Sequence, residues 1–267
     1  MNNKKFELTD ECKKIGEIKL FRIKALIDFG NVKSGDLGGF IEKEENLSHN
    51  GDAWVSGNAQ VYGDAWVCGN AEVCGNAKVC GNAQVSGNAQ VYGDAQVYGN
   101  ACVHGNARVY GNVWVHDNAR IYGHTQVYDN AWVCGNAWVC GNAKVCGNAQ
   151  VCGNAEVCGN ACVHGNTCVH GNAEVCGNAW VCGNAEVCGN AKVRDNTDYA
   201  TVKGFGTVFR NTTFFRCKDK KICVSCGCFY GTINQFREQV KRTRKGKIAK
   251  EYLMIADLME MHFGKEV

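Results

Sequence analysis

Between Asp52 and Val193 the chain repeats a six-residue unit almost without interruption. From Val55 to Val193 the register spans 138 residues, or 23 steps of six, and carries 24 aliphatic positions. All are Val except Ile121. A period of six limits what such a chain can build. Side chains alternate across a strand, so in each Ala-x-Val the Ala and Val point one way and the variable residue the other. The remaining three residues, x-Gly-Asn, have to turn a corner. Gly reaches positive φ without penalty, and Asn or Asp tolerates that region better than other residues.

Short flat strands joined by such corners wind into a triangular parallel β-helix with three hexads per coil. Twenty-four hexads predict a prism of about eight coils, roughly 38 Å long at the spacing of neighbouring strands. Ala and Val stack inside. Val113, Thr125 and Thr167 fill the Ala position and are still small. The fold class is all-β, with caps at both ends, because an open coil exposes core and unpaired backbone groups.

The flanks divide the chain into three parts. Residues 1–46 hold 9 basic and 9 acidic groups, residues 47–199 hold 6 and 11, and residues 200–267 hold 14 and 6. The first part reads as an N-terminal β cap. Ile18–Ile23 alternates as a strand that Ala25–Ile27 extends, and Asp36–Ile41 reads as a turn entering the first coil. The second is the prism. The third is a basic α+β module. In it, Thr207–Cys217 and Lys221–Val224 predict a hairpin turning at Lys218–Lys220. Thr232 with Gln235 predicts a capping box opening a helix through Phe236 and Val240. Gly246 is expected to stop that helix, and a second follows through Ile248, Tyr252, Ile255 and Met259.

The opening residues contain no apolar run, so no signal peptide or membrane span is expected. There are 19 cysteines, 14 of them at variable positions of the repeat. Without an export signal this predicts a reduced, cytoplasmic setting.

Two outward positions of the repeat vary. At the mid-strand position no face carries a basic stripe, which argues against a nucleic-acid track along the prism. Trp114 and Trp132 share one face and Trp138 lies on the next. They are candidate protein contacts, or they stack to support the sheet. The position after Val builds corner ladders: Tyr92, Tyr110 and Tyr128; Cys140, Cys158 and Cys176; Cys134, Cys152, His170 and Cys188. Stacked cysteines lie within disulfide reach. Tetrahedral ligation needs four convergent ligands and a straight ladder splays them, so no metal and no cofactor are expected. Cys217, Cys223, Cys226 and Cys228 have the count of a zinc site but not the usual spacing, and read as buried structural thiols. Lys241, Arg242, Arg244, Lys245 and Lys247 form a basic patch, a solvated face or a contact for nucleic acid or an acidic protein.

Phe21-Arg22-Ile23, the run Gly35–Ile41 with Asn46-Leu47-Ser48, the Gly-Asn-Ala-x-Val array and the run Cys226–Thr232 together resemble a phage and prophage hexapeptide-repeat family. Its members are often labelled putative transferases. The resemblance covers essentially the whole chain and implies a left-handed prism. It implies a homotrimer or homodimer, and a non-catalytic protein that docks on a host protein. One such role is counter-defence against a host nuclease or ribonucleoprotein such as a CRISPR effector. Acyltransferases sharing this prism carry a loop that breaks out of a coil, and no loop interrupts Asp52–Val193. A transferase reading would use His104, His164 or His170 as base with acyl-CoA. A third reading is a sponge for a nucleotide signal, bound between subunits or against the basic module.

Overall fold

Each hexad closes one side of a triangle. In the computed structural model, which describes residues 4–264, twenty-four two- to four-residue strands run from Trp54–Val55 to Lys192–Val193 and fall into three parallel sheets. Every pairing is offset by eighteen residues, as between Trp114 and Trp132. Backbone hydrogen bonds join each coil to the next, as from Trp54 N to Ala71 O (2.9 Å) and from Gln60 N to Ala77 O (2.9 Å). The Ala and Val columns are fully buried and form one continuous core. A fully buried Val is worth about 1.5 kcal/mol or more, so the core is a sum of many equal layers.

The corners show why the third residue is Gly. Gly99 has φ of 71°, and a Cβ there would lie 2.9 Å from the backbone nitrogen of the residue stacked below, Asp117. Asp117 and Asp129 stand at the Gly position and take φ of 60° and 63°. Their carboxylates accept from Gly135 N and Gly147 N, both at 3.1 Å. The Asn that follows Gly stays out of the left-handed region. Its amide instead donates to the amide one coil on, as from Asn82 to Asn100 (2.9 Å) and from Asn136 to Asn154 (3.0 Å).

The solenoid has about nine turns, one more than the hexads alone predict. The extra turn comes from the segment expected as a turn. Leu37–Ile41 is a strand, β3, whose Phe40 and Ile41 pair in parallel with Gln60 and Val61. Gly38 and Gly39 serve close packing there: a Cβ on either would collide with Val55 and its neighbours. Before β3 lies an antiparallel hairpin, β1 (Phe6–Ile15) and β2 (Ile18–Ala25). The turn continues through a 3₁₀ segment at Glu44–Asn46 to the Leu47–Val67 bridge.

At the other end a four-stranded antiparallel sheet covers the last coil. Its central hairpin is Arg210–Arg216 with Ile222–Cys226, flanked by Tyr199–Phe205 and Phe229–Thr232. Phe215, Cys217 and Cys223 join the prism core, while Phe214 and Val224 face two helices. Helix α1 (Ile233–Thr243) opens on the capping box of Thr232 and Gln235. Helix α2 (Gly246–Phe263) begins at Gly246, with φ of 59°. Gly246 therefore starts the second helix, and the first has already ended three residues earlier. No helix among the described residues is long and apolar enough to cross a membrane.

Candidate functional site

The eighteen-residue register places aromatic side chains in adjoining columns on one face. Trp114 and Trp132 stack with centroids 5.1 Å apart and parallel planes. Beside them, Tyr98 and His116 stack at 4.9 Å. The pairs meet edge to face, Tyr98 on Trp114 at 6.3 Å and His116 on Trp132 at 6.4 Å. Four rings thus form one platform on a flat sheet, with Trp132 41% exposed. Aromatic pairs of this geometry contribute about 0.5–1.5 kcal/mol beyond their area, so the platform both stiffens the sheet and leaves apolar surface in water. Trp138 lies on the next sheet, exposed, with the Arg120 guanidinium 5.5 Å over its ring and Tyr122 edge-on. Tyr98 and His116 were legible one coil apart in the corner column, but their contact with the Trp column was not.

The other ladders form as the register implies. Tyr92, Tyr110 and Tyr128 stack at 4.9 and 5.1 Å. The repeat cysteines are free thiols. Burial pushes up the thiol pKa of Cys134 to about 11, and burial with Glu156 pushes Cys158 to about 12, which keeps both protonated near neutrality. The reading of Cys217 and Cys223 as thiols is corrected: they form a disulfide across the hairpin end, Cα atoms 6.2 Å apart. The hairpin register pairs Cys223 with Phe215, and Cys217 N donates to Lys221 O, so the two cysteines lie diagonally across the hairpin end. That removes two ligands from any four-cysteine zinc set.

Lys241, Arg242, Arg244, Lys245 and Lys247 are all exposed around the α1–α2 junction. Three have local partners: Lys241 pairs with Glu238 at 3.2 Å, Lys247 with Glu251 at 3.6 Å, and Arg242 donates to Gln239 at 2.6 Å. Behind the junction lies a hollow of about 270 Å³ whose lining includes Arg210, Arg244, Phe229, Phe236 and Tyr252.

Further along the platform face, toward the basic module, the corner and mid-strand columns bring together His170, Glu186 and Cys188. His170 Nε2 lies 3.1 Å from Glu186 Oε1. Hydrogen bonding to Cys188 and then Glu186 pushes the His170 pKa up to about 10. The same imidazole, then the Ser225 hydroxyl, draws the Glu186 pKa down. On the rung above, the Cys168 thiol pulls the Cys152 pKa down. Sequence reasoning put His170 and Cys188 in one ladder but missed Glu186, which belongs to the neighbouring column.

A family model described as the YdcK beta solenoid repeat matches residues 83–99 and 103–117. In its repeat the chain is similar to that family. The match spans two short stretches, well under half of the chain, and the second contains Trp114 and His116. No curated protein matches the chain.

Proposed function

We propose that this is a non-catalytic binding protein whose contact surface is the platform of Tyr98, Trp114, His116 and Trp132. One observation carries the reading: two stacked ring pairs meet edge to face on a flat outward face, with Trp132 still 41% exposed. Interfaces are enriched in rigid aromatics at their centres. The resemblance to phage and prophage hexapeptide-repeat proteins supplies the setting: a host cytoplasm and a host protein as partner, with a counter-defence role against a nuclease such as a CRISPR effector. A homotrimer or homodimer is part of the same proposal.

The test is affinity capture from a phage-sensitive host with a tagged chain, beside a W114A/W132A/W138A variant. The expected result is one host protein retained by the wild type, lost from the variant, and bound directly when purified. Equal recovery by both would remove the aromatic face from the reading. Recovery of nothing above background would remove the reading itself.

A nucleotide sponge is favoured by one separate observation, the hollow of about 270 Å³ with Arg210, Arg244 and three aromatic rings. Nucleotide copurifying with the wild type and absent from an R210A/R244A variant would bring it forward. An acyl-CoA transferase would use His104, His164 or His170. His104 stacks on Tyr122 at 5.1 Å and His164 packs 5.5 Å from Trp180, each as a rung of its ladder. A thermal shift with acyl-CoA is the observation that reading needs.

A further inference from the structure

We infer that His170, Glu186 and Cys188 bind a zinc ion that clips together the last coils of the prism where the C-terminal module meets them. One ligand atom from each residue lies within 4.8 Å of the other two. Zinc bonds of about 2.0–2.3 Å place tetrahedral donor atoms about 3.3–3.8 Å apart. The His170–Glu186 edge, at 3.1 Å, is already near that spacing. Imidazole, carboxylate and thiolate are zinc's ordinary donors, and three of them leave the fourth position to solvent.

The surroundings distinguish this cluster from two others of the same size. Ser225, on the Ile222–Cys226 strand of the module, donates to Glu186 Oε2 at 2.8 Å. That is the outer-shell hydrogen bond that orients a carboxylate ligand, and it arrives from the C-terminal module. Thr213, on the neighbouring strand, accepts from the backbone nitrogen of Glu186 at 2.9 Å. Cys188 is 4% exposed and packs into the prism core, so its thiol is fixed in place. In the His116, Asp117 and Cys134 group, by contrast, the carboxylate is committed to a corner amide and the imidazole is stacked on Tyr98. The Cys140, Glu156 and Cys158 group has no imidazole, and burial and Glu156 disfavour the Cys158 thiolate.

A thiol ligates zinc as the thiolate and a histidine as the neutral imidazole, so binding near neutral pH releases protons to solvent.

The experiment titrates the full chain with Zn²⁺ against a chromophoric chelator, and separately with Co²⁺. The expected result is one equivalent held more tightly than the rest. Its affinity falls at least about 100-fold in His170→Gln and in Glu186→Gln, and about 10- to 100-fold in Ser225→Ala. Binding is accompanied by proton release and raises the unfolding temperature of the wild type. Co²⁺ gives a thiolate charge-transfer band that Cys188→Ser abolishes. His170 and Glu186 are partly exposed, so their variants fold, and a circular dichroism spectrum checks this. Retention of the tight equivalent in both variants would assign the zinc to the thiol ladders and overturn the inference. Failure to hold any zinc against the chelator would overturn it as well.

Discussion

The two ends of the prism differ in what they leave unpaired. At the corners and strand flanks the bonds between coils run mostly from N–H groups of one coil to carbonyls of the next, so the first coil presents mainly carbonyls and the last mainly N–H groups. The N-terminal end is accordingly closed mainly by donors, with the Glu42 carboxylate accepting from Gly63 N. Phe40 N, Glu42 N and Ser48 N reach Ala59 O, Val61 O and Val67 O at 2.9–3.1 Å. Asn46 Nδ2 donates to Gly63 O and Ala65 O, and the buried Lys5 ammonium to Gly51 O and Ala53 O. The C-terminal end is closed by both kinds of group: the Tyr199 hydroxyl, Asn211 Nδ2 and Lys218 N donate to Trp180 O, Asn184 O and Asn190 O, and a set of acceptors meets the free N–H groups. Trp180 N meets Asn196 Oδ1, Arg194 N meets Asp198 Oδ2, Glu186 N meets Thr213 Oγ1 and Asn190 N meets the Tyr230 hydroxyl. The solenoid therefore has a net chemical polarity, less strict than that of a helix, and its caps are not interchangeable.

One substitution made at both ends is the sharpest way to break this comparison. Asn46→Asp turns a buried donor into a carboxylate facing two carbonyls. It is expected to cost about 4 kcal/mol, the scale of an uncompensated buried charge, read from the urea midpoint. Such a carboxyl has a folded pKa raised above its unfolded value near 3.9, so stability is lost as pH rises through that range. Acid should narrow the gap to wild type, because the protonated form donates again. A wild-type midpoint at pH 7 would refute the polarity argument.

Next in size, Lys5→Met leaves the carbonyls of Gly51 and Ala53 without a donor and should cost about 3 kcal/mol. Burial lowers the Lys5 pKa to about 8, partly offset by Asp52. The unfolded chain then binds the extra proton between pH 8 and 10.5, so the wild type gains stability over Lys5→Met as pH rises through that window. A gap that shrinks instead would mean that the ammonium form is favoured in the fold. Thr213→Val removes a single neutral acceptor and should cost about 1–2 kcal/mol, with faster hydrogen exchange at Glu186 as the local reading. Asn196→Asp keeps the acceptor for Trp180 N and should stay within about 0.5 kcal/mol of wild type.

The prism was legible because its pattern is strict. A six-residue period with Val and Ala columns allows few geometries, and the eighteen-residue register followed from it. Two kinds of feature were not legible. Leu37–Ile41 has no hexad, so its membership in the solenoid depends on what its backbone pairs with, and Gly38-Gly39 resembles turn chemistry when seen alone. Likewise the ten residues of β1 alternate poorly and only one is buried, so their pairing with β2 rests on backbone hydrogen bonds that leave little mark on side-chain choice. The candidate sites divide the same way. Residues in one column can be read by counting eighteens. Contacts between columns, such as Trp132 with His116 or Glu186 with His170, depend on rotamers that the spacing does not specify.

The asparagine amides that link each corner to the one below have a further consequence. Most corners make the same bond to their neighbour, with Asp64, Asp94 and His124 among the exceptions at the Asn position, so a gain or loss of eighteen residues leaves each kind of contact intact. The length of this molecule is therefore quantised in whole coils. A duplication or deletion of one coil would move the aromatic platform relative to a cap by a single strand spacing, about 4.8 Å, while keeping it on the same side of the prism. Such a chain is a ruler that recombination between near-identical repeats can lengthen or shorten without re-solving its fold.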